Sequence, residues 1–253
     1  MFLTTKALVL REVQYKEADK ILTVLTEREG KLTVKARGAL RKGCKYGAAA
    51  QALCYSEMTL FGNAGKWSIN EAETIEQFLP LRDDISALAL ASYFAEMLEA
   101  VSDEDSPNSA LLRLTLNALF ALSRKLYDSK HIKAAFELRL MCIAGFAPSL
   151  DRCAVCGRED PEQPRLSLYG GTVLCAGCVP QGAGKTVPLG PAGLSAMRHV
   201  TEAEAKRIFS FSLDGEAAPQ FEEACEQYAL AQLDRGFRTL DYWKSVSAFP
   251  YNG

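Results

Sequence analysis

Four of the eight cysteines fall into two pairs, Cys153-Ala-Val-Cys156 and Cys175-Ala-Gly-Cys178, with 18 residues between the pairs. Two thiolates separated by two residues reach one tetrahedral cation from a single turn, and a second such turn closes the coordination sphere. Gly157 and Gly177 stand where the backbone must turn back toward the sulfurs. The pattern predicts a zinc knuckle over 153–178, with Cys153, Cys156, Cys175 and Cys178 as ligands of one zinc per chain. Four thiolates leave no position for water, so the metal is expected to be structural. The competing reading is two disulfides or four unremarkable thiols, and disulfides are rare in the reducing compartment expected for this chain. Cys44, Cys54, Cys142 and Cys225 stand singly and read as small packed residues.

A second group of residues offers charge instead of ligands. Lys31, Lys35 and Arg37 alternate with Leu32, Val34 and Ala36, which predicts a strand with one apolar and one cationic face. Arg41, Lys42 and Lys45 extend the row along a glycine-punctuated loop, and Lys66 precedes Trp67 on a predicted hairpin. Residues 1–46 hold 11 Lys/Arg against 5 Asp/Glu, a net +6, whereas the whole chain is at −2 and the other 207 residues therefore carry −8. Such asymmetry points to an anionic partner for the first segment. Lys31, Lys35, Arg37, Arg41, Lys42, Lys45 and Lys66 are thus the expected nucleic-acid contacts. Tyr46, Tyr55 and Trp67 add rings that either stack on bases or fill a core. The bland alternative, a solvated strand face, explains three charges better than it explains seven.

These side chains need elements to hold them. Short β-branched and leucine-rich runs at 4–13, 20–26, 31–37, 53–61 and 66–74 predict five strands, the last two joined by Gly62-Asn-Ala-Gly65. Five strands with no intervening helix are the pattern of an oligonucleotide-binding (OB) barrel over residues 1–80. After Pro80 the period changes to three and four. Ile85, Leu88, Leu98 and Val101 predict a helix capped by Asp83 or Asp84, and Ser106-Pro107 starts a second through Leu111 to Leu126. A third covers Ser129 to Ile143, with Gly145 as its C-terminal cap. Beyond the cysteines, 179–193 reads as loop. Helices resume over 194–199, again at Thr201 with Glu204 at capping-box spacing, and from Pro219 through Leu240. The fold class is α+β: an N-terminal five-stranded OB barrel, then a helical domain over 81–253 with a four-cysteine insert.

No catalytic constellation emerges, and the chain is not expected to be an enzyme. Gly184-Lys185-Thr186 resembles the end of a phosphate-binding loop, but Val179 stands where that loop needs glycine. His131 and His199 lie on predicted helices outside any metalloprotease or triad pattern, and Asp103, Glu104 and Asp105 fall in a polar link. No run approaches 18 apolar residues and the first residues lack a signal-peptide pattern, so a cytoplasmic, nucleoid-associated protein without membrane contact is expected.

Taken in order, Ala7-Leu-Val-Leu-Arg11, Tyr15-Lys-Glu-Ala-Asp19-Lys-Ile-Leu22, Gly30 and Ala36-Arg-Gly38-Ala-Leu-Arg41-Lys42 resemble the N-terminal domain of the RecO recombination-mediator family. The helical remainder with its four cysteines resembles the same family's C-terminal domain. The resemblance implies a protein that binds single- and double-stranded DNA and anneals complementary strands. It also implies a RecR partner, with which recombinase is loaded onto strands coated by single-strand-binding protein, and a contact with that protein's acidic C-terminal tail. The family's basic strand and loop fall on Lys35, Arg37, Arg41 and Lys42. Where many members continue with serine, this chain has Gly43-Cys44-Lys45. A zinc-containing adaptor binding RNA or protein in transcription or translation is the alternative class.

Overall fold

The computed structural model describes residues 1–104, 106, 108–182 and 184–248. Five strands, β1 (Phe2–Tyr15), β2 (Asp19–Thr26), β3 (Lys31–Ala36), β4 (Tyr55–Asn63) and β5 (Lys66–Glu76), close into a barrel of order β1-β2-β3-β5-β4. Neighbours are antiparallel except β3 and β5, whose parallel pairing of Val34 with Trp67 and Lys35 with Ser68 seals the barrel. Alternation fills it: Val9, Leu22, Val24, Leu32, Val34, Met58, Leu60 and Ile69 are buried together inside. A bulge between Val9 and Arg11 bends β1, which is long enough to pair with both β2 and β4.

The glycine-punctuated loop over 38–47 lies within a tied succession of turns that connects β3 to β4. Arg41 N donates to Gly38 O, Cys44 N to Arg41 O, Gly47 N to Cys44 O and Ala50 N to Tyr46 O. Ala39 and Ala50 join the barrel core, so the turns plug one end of it.

Helices follow as the change of period required. A short 3₁₀ turn over Leu79–Asp83 leads into α1 (Ile85–Val101), whose N-cap Asp84 accepts from the amides of Ser86 and Ala87 at 3.1 Å each. Helix α2 (Ser109–Ser123) is capped by Asn108, two residues later than the sequence suggested; Pro107, expected at its first position, and Asp105 lie outside the described residues. Contacts group residues 1–124 with the C-terminal stretch beginning at Phe237 into one compact unit, and residues 125–236 into another. In the first, α6 (Arg238–Ser247) packs on α1, with Tyr93 edge-on to Phe237 at 5.5 Å and Thr239 bonded to Glu96.

The second unit holds α3 (Ser129–Ile143), α4 (Gly190–Glu202), α5 (Ala217–Leu233) and a small sheet of order β7-β6-β8, built from β6 (Arg165–Ser167), β7 (Thr172–Leu174) and β8 (Thr186–Pro188). Phe136, Met197, Phe221 and Tyr228 are buried in it. Lys133, buried on α3, reaches Glu137 and Glu226 at 2.8 Å each and ties α3 to α5. Three sequence expectations are corrected here. The stretch 179–193 contains β8 and the first turn of α4, where Gly190-Pro191 starts a helix instead of a loop. Thr201 lies in the last turn of α4 and donates to Arg198 O, so it caps no new helix. The run from Pro219 to Leu240 is two helices, broken where Asp234 adopts φ 48°.

Candidate nucleic-acid interface and metal centre

Outward positions of β3 are set by the inward ones. With Leu32, Val34 and Ala36 in the core, Lys31, Thr33 and Lys35 must face out. The parallel β3–β5 pairing then brings Lys66 beside the same face. The result is an open groove of about 510 Å³ lined by cations Lys35, Arg37 and Lys66 and by rings of Tyr15, Phe61 and Trp67. A second groove of about 540 Å³ is lined by Arg37, Arg41, Lys42, Lys45 and Tyr46, with Glu71 as its one carboxylate among the described residues. Arg37 is common to both. Six of the seven sequence-predicted cations are therefore gathered on two adjoining surfaces.

Lys31 is the exception. Its ammonium donates to the Glu99 carbonyl at 2.8 Å, on α1, and it lines neither groove. Lys35 is held differently from its neighbours. It pairs with the Asp19 carboxylate at 2.9 Å and lies over the Tyr15 ring, 5.0 Å from its centre. The other Asp19 oxygen accepts from Gly38 N at 2.8 Å. The Lys35 hydrogen bond first, and the Gly38 amide second, hold the Asp19 carboxyl below its usual range. Asp19 thus staples the end of β3 to the turn that follows, where Gly38 takes φ 65°.

The rings divide as well. Trp67 is half-buried, packs against the core and lines the first groove. It lies flat on Gly62: a Cβ there would come within 2.7 Å of the indole. Tyr46 packs against the core, donates its hydroxyl to the Arg37 carbonyl and walls the second groove. Tyr55 lines neither; burial first, then the nearby Glu27 and Glu57 carboxylates, push its phenol up, and such a neighbourhood repels phosphate. Tyr15 and Phe61 were not singled out from the sequence. The available signal was that Phe61 follows inward Met58 and Leu60 at an outward position of β4.

In the second unit, the turn Cys153–Gly157 and the 3₁₀ turn Ala176–Cys178 stand on either side of the β6–β7 hairpin. Gly157 N donates to Cys153 O, Ala154 N to Val173 O and Cys178 N to Cys175 O, and Gly157 takes φ 73° to close the first turn. All four sulfurs lie within 4.8 Å of one another, with Cys156 and Cys175 at 3.8 Å. Four thiolates about 2.3 Å from a central zinc stand roughly 3.8 Å apart, so the set fits a tetrahedral ion. Cys175 N also donates to Cys153 Sγ at 3.3 Å. Burial pushes the Cys153 thiol up, but the amides of Cys156, Cys175 and Val155 outweigh it and bring it down to about 6. Cys178 is pushed up to about 12, by Cys156 first, because crowded sulfurs cannot all be anionic without a cation among them. The four cysteines could hold a metal ion.

The Gly-Lys-Thr resemblance dissolves. Lys185 bonds Gln227 at 2.8 Å, and Thr186 lies in β8 and accepts from Arg165 at 3.0 Å.

A closed five-stranded barrel with two grooves lined by cations, followed in the chain by helices and a four-thiol cluster, defines an OB-type α+β protein. Models of two families match it: "Recombination protein O N terminal" over residues 1–78 and "Recombination protein O C terminal" over residues 82–241. The chain belongs to the RecO family. It is 29% identical over 245 residues to the DNA repair protein RecO of Acetivibrio thermocellus, covering 97% of each chain. It is 31% identical over 238 residues to that of Symbiobacterium thermophilum, covering 93% of this chain and 94% of the relative. A third, from Alkaliphilus metalliredigens, is 27% identical over 248 residues.

Proposed function

We propose that this protein is a DNA-repair mediator that binds single- and double-stranded DNA through the two barrel grooves and anneals complementary strands without making or breaking a covalent bond. The observation that carries the reading is the convergence of Lys35, Arg37, Arg41, Lys42, Lys45 and Lys66 on adjoining surfaces that share Arg37. Annealing requires two phosphate backbones to be neutralised while base edges stay free, and surface cations meet both needs. The metal is zinc, held by Cys153, Cys156, Cys175 and Cys178; it supplies a rigid cross-link between the two turns. Family membership supports RecR and the acidic tail of single-strand-binding protein as partners, and recombinase loading as the outcome.

The test is an annealing assay on complementary oligonucleotides coated with single-strand-binding protein, run with the unmodified protein and with Arg37→Ala/Arg41→Ala. Acceleration by the first and its loss in the second are expected. Equal rates with and without protein would remove the annealing role. Preferential binding of structured RNA over single-stranded DNA would favour an adaptor role instead.

A further inference from the structure

The two grooves differ in a way that the charges alone do not explain. The second is a surface of cations and backbone: its one ring, Tyr46, has its hydroxyl committed to the Arg37 carbonyl and its body against the core. The first has rings at its surface. Tyr15 is 43% exposed and Phe61 39% exposed, and Phe61 is braced by Phe2, ring centres 5.2 Å apart. Trp67 completes the lining, laid flat on Gly62, where no side chain could stand between them. Exposed aromatic rings cost solvation, and here they are flanked by Lys35, Arg37 and Lys66, the surroundings that complement a chain carrying both flat apolar faces and negative charge. At about 510 Å³ the groove falls within the range of small-ligand clefts, roughly 300–1,000 Å³.

We infer that the groove lined by Tyr15, Phe61 and Trp67 is a subsite for unpaired bases, and that the adjoining groove beneath the 37–46 turns takes sugar-phosphate only. The inference rests on the DNA-binding reading above. Single strands are held by base faces in the first groove and by phosphates in both. Duplexes, whose bases are already stacked, are held by phosphates alone. Stacking occupies the faces of a base and leaves its pairing edge open, so a strand held this way remains competent to meet its complement.

Fluorescence anisotropy with labelled oligothymidylate and with a duplex of equal length separates the two grooves. Tyr15→Ala and Phe61→Ala are each expected to weaken oligothymidylate about tenfold with an unchanged salt slope, and to leave duplex affinity within about twofold. Phe61→Leu keeps apolar area without a ring and is expected to lose as much as Phe61→Ala. A measurement on the unmodified protein backs this up. The chain has two tryptophans, and Trp243 is only 4% exposed, so quenching of emission by oligothymidylate and not by duplex reads Trp67. Equal losses on both DNAs, no loss on oligothymidylate, full retention by Phe61→Leu, or no selective quenching would overturn the inference. Arg41→Ala/Lys42→Ala distinguishes the two levels. If it weakens both DNAs while the ring variants change nothing, the base subsite fails and DNA binding stands; if it too changes nothing, the DNA-binding reading fails.

Discussion

Replacing Arg37 and Arg41 with alanine removes the cation common to both grooves and a second cation that lines the second groove. Both side chains are exposed, and the Arg37 carbonyl that accepts from Tyr46 survives the change, so the barrel should fold as before. Lys35 is already paired with Asp19 at 2.9 Å, which leaves Arg37, Arg41, Lys42, Lys45 and Lys66 as cations available to phosphates. With one released counterion for each, log K for a single strand should fall with log salt at a slope near −3.5, taking ~0.7 per phosphate. Two fewer contacts bring the slope to about −2.1. Between 50 and 200 mM salt the unmodified protein should therefore lose about 130-fold in affinity and the double variant about 18-fold. Anisotropy titrations at four salt concentrations resolve that difference. Parallel slopes for the two proteins would refute the assignment, even if the variant bound more weakly at every salt.

Two further outcomes follow from the second unit. Metal analysis of the purified protein should find one zinc per chain, and Cys153→Ser or a strong chelator should lower its melting temperature and expose the remaining thiols to modification; zinc-free protein with four freely reactive cysteines in this cluster would remove the metal. Lys133→Met should cost about 3–5 kcal/mol in urea unfolding, because it deletes the cation facing buried Glu137 and half-buried Glu226, and a loss under about 1 kcal/mol would show the three-residue network to be dispensable. Burial lowers the Lys133 pKa but the two carboxylates outweigh it and raise it above the usual 10.5. Its contribution is therefore fully present below about pH 10.5 and is lost only as pH rises through the higher folded value, leaving stability from this network flat across neutral pH.

The barrel was legible because its signal is local. Period two in 31–36 states which residues face inward, and a slip of one residue would put Lys31 and Lys35 into the core. The same argument could not place Lys31, since alternation assigns a face and says nothing about what covers it; α1 covers that end of β3, and the Glu99 carbonyl takes the ammonium. Nor could it bring Lys66 to Lys35, a neighbour made by the parallel closure of β3 on β5. The β6–β8 sheet escaped notice because three-residue strands are too short to show a period. The break between α5 and α6 had only Asp234 and Gly236 to announce it, with no proline.

What the sequence states best is the set of groups whose chemistry needs company. Two cysteine pairs demand each other because a tetrahedral ion needs four donors, whatever the intervening 18 residues do. Cations demand nothing of one another and repel when gathered, so their convergence on one face needs an architectural cause. Here it is the closed barrel, the Asp19 staple that fixes the turn after β3, and Gly62, which lets Trp67 lie flat between them. None of these three supplies a cation. Each fixes the backbone or the ring beside which the cations stand, and on the DNA-binding reading proposed above an incoming phosphate would relieve the repulsion among them.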